Sequence, residues 1–121
     1  MSRARGNALQ NALATYLRAW WPHAESAGAG RNGRDILGTP GVAFEVKTAD
    51  DFKRDFKPTI WVKQAQANAK GDVAAVVYFP RGLGEAHTGQ ALAILPLDEL
   101  LGLLEDGAYP PETPLADRRA S

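Results

Sequence analysis

The chain has 121 residues, 14 Lys or Arg against 14 Asp or Glu, and no cysteine. That length suits one compact domain with its own core, and the missing cysteines exclude both disulfides and thiolate metal sites and suit a reducing, cytoplasmic setting. No apolar run approaches the roughly 18 residues of a membrane span, and the opening MSRARGNALQNA lacks the apolar centre of a signal peptide. The zero net charge hides a division. Residues 1–81 hold 12 basic and 7 acidic side chains, whereas residues 82–121 hold 2 and 7. A basic front and an acidic back give a local positive field suited to a polyanion.

In chain order, residues 4–21 are predicted to form an amphipathic helix. Leu9, Leu13, Tyr16, Leu17 and Trp20 recur at helical spacing, and Pro22 ends the run. One of Trp20 and Trp21 is expected in the core and the other toward a partner subunit. Residues 23–27 read as a short strand, and residues 27–33 (AGAGRNG) as a flexible loop. The loop spells GxGxxG, but polar residues precede it and a strand follows, so no nucleotide cofactor is expected. Arg31 and Arg34 are instead available to phosphates. Residues 34–37 and 42–48 read as strands joined by the turn GTPG. Residues 50–57 (DDFKRDFK) are expected as a loop, with Lys53, Arg54 and Lys57 gripping a nucleic-acid backbone and Phe52 and Phe56 tucked into the core.

Residues 58–70 (PTIWVKQAQANAK) have a proline in the first turn and Gly71 past the end, the punctuation of a helix. Its alanines allow close packing on a sheet, and Lys63 joins the candidate DNA contacts. Residues 73–79 (VAAVVYF) are an unbroken apolar run, a strand buried on both faces. A polar loop at 81–89 leads to a strand at 90–95. Residues 97–105 read as a short helix with Asp98 as N-cap, and the rest is proline-rich and polar, a loose tail. One domain is therefore expected over residues 1–106, with a tail over 107–121. The order α-β-β-β-α-β-β-α predicts an α/β fold with a mixed central sheet flanked by helices.

The chemistry concentrates in GRDILGTPGVAFEVKTA, residues 33–49. Strand side chains alternate faces, so Val42, Phe44 and Val46 are assigned to the core and Ala43, Glu45 and Lys47 to the other face. The turn at 38–41 folds Asp35 back beside Glu45. Two facing carboxylates repel unless one is protonated or a cation lies between them. Mg²⁺ or Mn²⁺ takes such hard oxygen ligands together with waters and phosphate oxygens, with the Val46 carbonyl a further ligand. Lys47 can orient or deprotonate water and offset charge on a phosphate. His23 and His87 lack ligand spacing, so no histidine metal site is expected.

Asp35 and, after nine intervening residues, Glu45-Val-Lys47 resemble the PD-(D/E)xK nuclease signature. The stretch is similar to small phage and prophage nucleases of the Holliday-junction-resolvase-like type, over residues 8–95. The resemblance implies a restriction-endonuclease-like core: a helix, a three-stranded antiparallel meander, a helix and a further strand. It implies Asp35 and Glu45 as metal ligands and Lys47 as the catalytic lysine. Position 34 is Arg rather than Pro. The first helix lacks the acid of archaeal-type resolvases, which leaves Glu25 as the nearest further ligand. Related nucleases place a glutamine on the helix after the lysine strand; Gln64 suits that place better than Gln66, which faces about 200° away. The expectation is thus a phage- or prophage-encoded, Mg²⁺-dependent homodimeric endonuclease acting on branched DNA. A nicking, repair or restriction-type enzyme of the same fold, or a non-catalytic DNA-binding module, are the alternatives.

Overall fold

The sequence assembles into two apolar layers on either side of one short sheet. In the computed structural model residues 3–28 and 33–107 are described; Arg31 and the tail beyond Gly107 lie outside them. The elements are α1 (Arg3–Leu17), β1 (Glu25–Ser26), β2 (Ile36–Leu37), β3 (Val42–Lys47), α2 (Phe52–Asp55), α3 (Pro58–Ala69), β4 (Val73–Tyr78), a 3-10 segment (Glu85–Gln90), β5 (Leu92–Ile94) and α4 (Leu97–Asp106). Among the described residues no helix is long and apolar enough to cross a membrane.

The sheet runs in the order β3-β4-β5. β3 is parallel to β4, with Glu45 opposite Val76 and Lys47 opposite Tyr78, and β4 is antiparallel to β5. The result is a mixed α/β fold. α3 is the crossover between the two parallel strands and must run back against them over one face of the sheet. Its stripe of Trp61, Ala65 and Ala69 packs on Ala43, Ala74, Val76 and Tyr78. Small residues at that contact bring helix and sheet close. On the other face α1 sets Leu9, Leu13 and Leu17 against Ile36, Val46, Val77 and Phe79. Covering both faces explains why VAAVVY is apolar throughout.

Several expectations are corrected. α1 stops at Leu17, and the N–H groups of Trp20 and Trp21 both return to the Leu17 carbonyl, at 2.9 and 2.8 Å. The buried stripe also includes Ala14 and leaves Tyr16 exposed, because the small side chain is the one that fits against the sheet. Trp21 packs on the core and meets Phe44 edge-on, with ring centroids 5.6 Å apart, while Trp20 is exposed. Residues 50–57 are not all loop. Asp51 caps α2 by accepting from the Arg54 N–H, and its own N–H donates to Asp55 Oδ2, a reciprocal cap that the spacing of the two acids carried. Phe56 joins Trp61 and Tyr78 in an aromatic cluster, whereas Phe52 stacks on Phe56 but stays 61% exposed. The loop expected at 81–89 contains most of the 3-10 segment, with Thr88 buried. Asp98 is not a cap. Pro96 holds that position without a side-chain bond, and Asp98 lies in the first turn.

The expected three-stranded antiparallel meander is present only in part. β1 and β2 pair antiparallel, Glu25 with Leu37 and Ser26 with Ile36, as a separate two-stranded ribbon. Toward β3 the chain offers one main-chain bond, from Asp35 N–H to the Phe44 carbonyl at 3.3 Å. The next bond is made by a side chain. Asp35 Oδ2 accepts from the Val46 N–H at 2.7 Å, where a continuing ladder would have used a carbonyl.

Candidate active site

Three segments deliver the functional groups to the flank of the sheet formed by β3. The first is the turn before it. Gly38 has φ +78°, and a Cβ there would run into the His23 carbonyl, so the chain reverses tightly only because position 38 is glycine. That reversal sets Asp35 beside β3, where the Val46 amide fixes its carboxylate.

The second segment is β3. The alternation expected from the sequence holds: Val46 faces α1 and Ala43 faces α3. Glu45 shares the face of Ala43, and that face is covered by a helix rather than open to water. Glu45 is 8% exposed. Burial, and then the charge of Asp35, push its carboxyl up from 4.5 to about 7, and the two carboxyls lie close enough for a protonated Glu45 to donate to Asp35. Lys47, half-buried two positions along, pulls the other way.

The third segment is α3, which contributes a residue that the sequence reading passed over. Asn68 Nδ2 donates to Glu45 Oε1 at 2.9 Å and reaches the Gly33 carbonyl at 3.4 Å. Gln64 lies one turn earlier on the same flank and is exposed. Since α3 runs against β3, the step of about 6 Å from Asn68 to Gln64 matches the roughly 6.6 Å from Glu45 to Lys47. Gln64 therefore stands level with the lysine. Gln66 and Lys63 lie on the opposite flank of α3, along a groove toward β5. The inward stripe Trp61, Ala65, Ala69 was legible by periodicity. Knowing that β3 lies beside Asn68 required the sheet order.

Arg34 is committed elsewhere than to a free phosphate site. Its guanidinium donates to the Asn68 and Ala69 carbonyls at 3.3 and 2.6 Å and pairs with Asp72 at 2.8 Å. It thereby satisfies the unpaired carbonyls at the C-terminus of α3, where a cation is favoured, and ties the helix to the residue preceding Asp35. Arg54 is held by its neighbour Asp55 through two hydrogen bonds, and that pairing lowers the Asp55 carboxyl to about 2. Lys53 and Lys57 are exposed. Glu25 is exposed on β1 beside Arg18 and His23. Among the described residues no group of three or more acidic or histidine side chains is gathered as a ready metal site. Val46 meets Asp35 through its N–H; the ligand expected from it was the carbonyl.

Each carboxylate spends one named oxygen on a protein donor, Asp35 Oδ2 on Val46 and Glu45 Oε1 on Asn68. Asp35 Oδ1 and Glu45 Oε2 are the oxygens not used in these two bonds. No buried side-chain nitrogen or oxygen among the described residues lacks a hydrogen bond. What is unrelieved is the charge conflict between two acids, Glu45 buried and Asp35 half-buried. Sharing a proton relieves it at low pH, and a divalent cation relieves it at high pH. The donor set, two carboxylates with room for waters and phosphate oxygens, suits Mg²⁺ or Mn²⁺. Comparison with protein-family models, characterised proteins and solved structures gives no match.

Proposed function

We propose that the protein is a metal-dependent endonuclease of the PD-(D/E)xK type that hydrolyses phosphodiester bonds in DNA, with branched DNA as substrate. One observation carries this reading: Asp35 and Glu45 converge at hydrogen-bond range with Glu45 raised to about 7 and Lys47 acting on it. A pair so placed is costly to the fold without a cation. A buried carboxyl whose pKa is pushed up by desolvation and by a specific charge partner is a candidate site of chemistry.

In this reading Asp35 Oδ1 and Glu45 Oε2 hold Mg²⁺ or Mn²⁺, which supplies polarisation of the phosphoryl oxygen and a lower pKa for attacking water. The chain's own residues do the remainder. Asn68 and the Val46 amide each hold one carboxylate by one oxygen and so fix it in rotation. Lys47 positions the attacking water and offsets charge building on the phosphate oxygens. Gln64, level with Lys47 and exposed, is placed to hydrogen-bond a phosphate or that water. Lys53 and Lys57 hold flanking phosphates. Paired incision of a four-way junction calls for a two-fold dimer whose axis coincides with that of the junction.

The test is digestion of a synthetic four-way junction beside flap, nicked and linear duplex DNA, with Mg²⁺ and with chelator. Junction cleavage that chelator abolishes is the expected result. Lys47→Ala should lower it by at least about a hundredfold, the lower range for loss of an acid–base or electrostatic group, while the chain keeps a folded far-ultraviolet spectrum and a cooperative melt. Equal cleavage of all four substrates would move the activity to a nicking or repair enzyme. Binding to DNA without cleavage in either metal would remove the enzyme reading altogether.

A further inference from the structure

Phe52 is a ring that the fold holds but does not bury. It opens α2 and stacks on Phe56, with centroids 4.6 Å and planes 17° apart, yet it is 61% exposed. Phe56 in turn meets Trp61 and Tyr78, both in the core. The inner rings thus fix the tilt of the outer one, and its exposure falls on the face turned away from Phe56. A flat ring held from one side offers its other side to a further flat ring.

Phe52 lines a hollow of about 570 Å³, together with Tyr78 and the exposed Leu92. Its size is that of a small-molecule site. Asp50 and Asp51 also line it, and Arg81 braces it by donating from Nη1 to the Asp50 carbonyl at 3.0 Å. The hollow lies outside the carboxyl ends of β3 and β4, where α/β sheets take their ligands. Tyr78 is the register partner of Lys47. Phe52 follows Lys47 by five residues, a reach of at most about 18 Å, so a strand held at the lysine comes to the ring within a few nucleotides. The lining also selects what enters. Two acids disfavour a phosphate inside, whereas base edges carry N–H donors and base faces suit aromatic and leucine surface. The exposed lysines Lys53 and Lys57 stand outside the lining, where a sugar-phosphate backbone would pass. A protein side chain in the hollow would have no use for that division of charge.

We infer that Phe52 is the stacking platform for one base that has left the DNA stack close to the phosphate at Lys47. The inference rests on the reading of that site as one that holds a DNA phosphate, and it gives the preference for branched DNA a physical cause. In a continuous duplex each base is covered on both faces by its neighbours and cannot meet the ring. Taking a base out of the stack costs least where it is already unpaired, as at a bulge or a branch point. The platform therefore rewards unstacked DNA and is indifferent to the sequence, since every base has a π-face.

Photocrosslinking of the full chain reads the contact directly. Iododeoxyuridine, which couples to an aromatic ring stacked on it, is placed at the unpaired position of a bulged duplex, at the branch point of a four-way junction and at a paired position of linear duplex, all without Mg²⁺. The expected result is a crosslink to Phe52 from the first two and none from the third. Phe52→Ala should weaken binding to bulged and branched DNA by about fivefold or more and leave linear duplex unchanged. Phe52→Trp should restore it, and Phe52→Leu, apolar but without a π-face, should not. The exposed position lets all three variants keep the wild-type far-ultraviolet spectrum. No crosslink at Phe52, an equal loss on linear duplex, or recovery by leucine would overturn the inference. So would self-association of the chain that Phe52→Ala abolishes, which would put a second copy on the ring. Cleavage with Mg²⁺ is followed in parallel. Cleavage indifferent to Phe52 would sink the platform alone, Phe52-dependent binding without cleavage would sink the enzyme reading alone, and a wild type that binds none of these DNAs would sink both.

Discussion

Glu45 is the residue on which the energetics of the site turn. Its carboxyl is raised from 4.5 to about 7, so between those values the folded state binds more protons than the unfolded one. The contribution of Glu45 to stability without metal should therefore be greatest below about pH 4.5, fall as pH rises to about 7 and level off beyond, a loss on the order of 3 kcal/mol at most. Glu45→Gln cannot ionise and keeps a similar shape. Its unfolding free energy should lack this decline and exceed that of the wild type above pH 7. Added Mg²⁺ should raise the wild-type midpoint above pH 7 and leave that of Glu45→Gln in place. Chemical denaturation at pH 4.5, 6 and 8 with and without Mg²⁺ checks each part; parallel pH curves for the two proteins would show that Glu45 does not carry the charge conflict described.

At the scale of elements, the site depends on how the β1–β2 ribbon is anchored against β3. The reversal after β2 has Gly38 at φ +78°, its α-carbon against the His23 carbonyl. Gly38→Ala adds a Cβ both to a left-handed conformation and to a closed contact. It should cost about 2–3 kcal/mol, read as a drop in melting temperature. Because the same turn sets Asp35 against the Val46 amide, Mg²⁺ should rescue less of that loss than it rescues for an equally destabilising change in the α1 stripe, such as Leu13→Ala. Arg34 anchors the other side by capping α3, so an arginine expected on a phosphate works here by keeping Asn68 beside Glu45.

Over the whole molecule, few of the basic side chains expected on DNA stand free to meet it among the described residues. Of the six basic residues singled out as DNA contacts, Arg31 lies outside the described residues. Arg34 and Arg54 are engaged by the protein, and Lys63 lies on the β5 flank. Lys53 and Lys57 are the exposed cations remaining on the α2–α3 side. Few phosphate contacts mean a shallow salt dependence. The logarithm of the DNA association constant should fall by about 2–4 for each tenfold rise in salt. Lys53→Ala and Lys57→Ala should each reduce that slope by about 1. Titrations from 50 to 300 mM salt measure it, and a slope near zero would remove the electrostatic contact.

The sequence alone determined the order of elements, the apolar centre at residues 73–79 and the alternation that puts Glu45 and Lys47 on one side of their strand, because periodicity and turn chemistry are local. α2 was missed although its cap was written in Asp51 and Asp55, since two phenylalanines among charges read as a loop. What lies across from each strand face is not local. Only the tertiary structure decided that α3 rather than water covers Glu45, that Asn68 reaches it, that Arg34 caps a helix and that α4 lies outside the core. The physical reason is that burial raises the cost of a carboxylate, and burial is a property of the packed layers, set by elements more than twenty residues away.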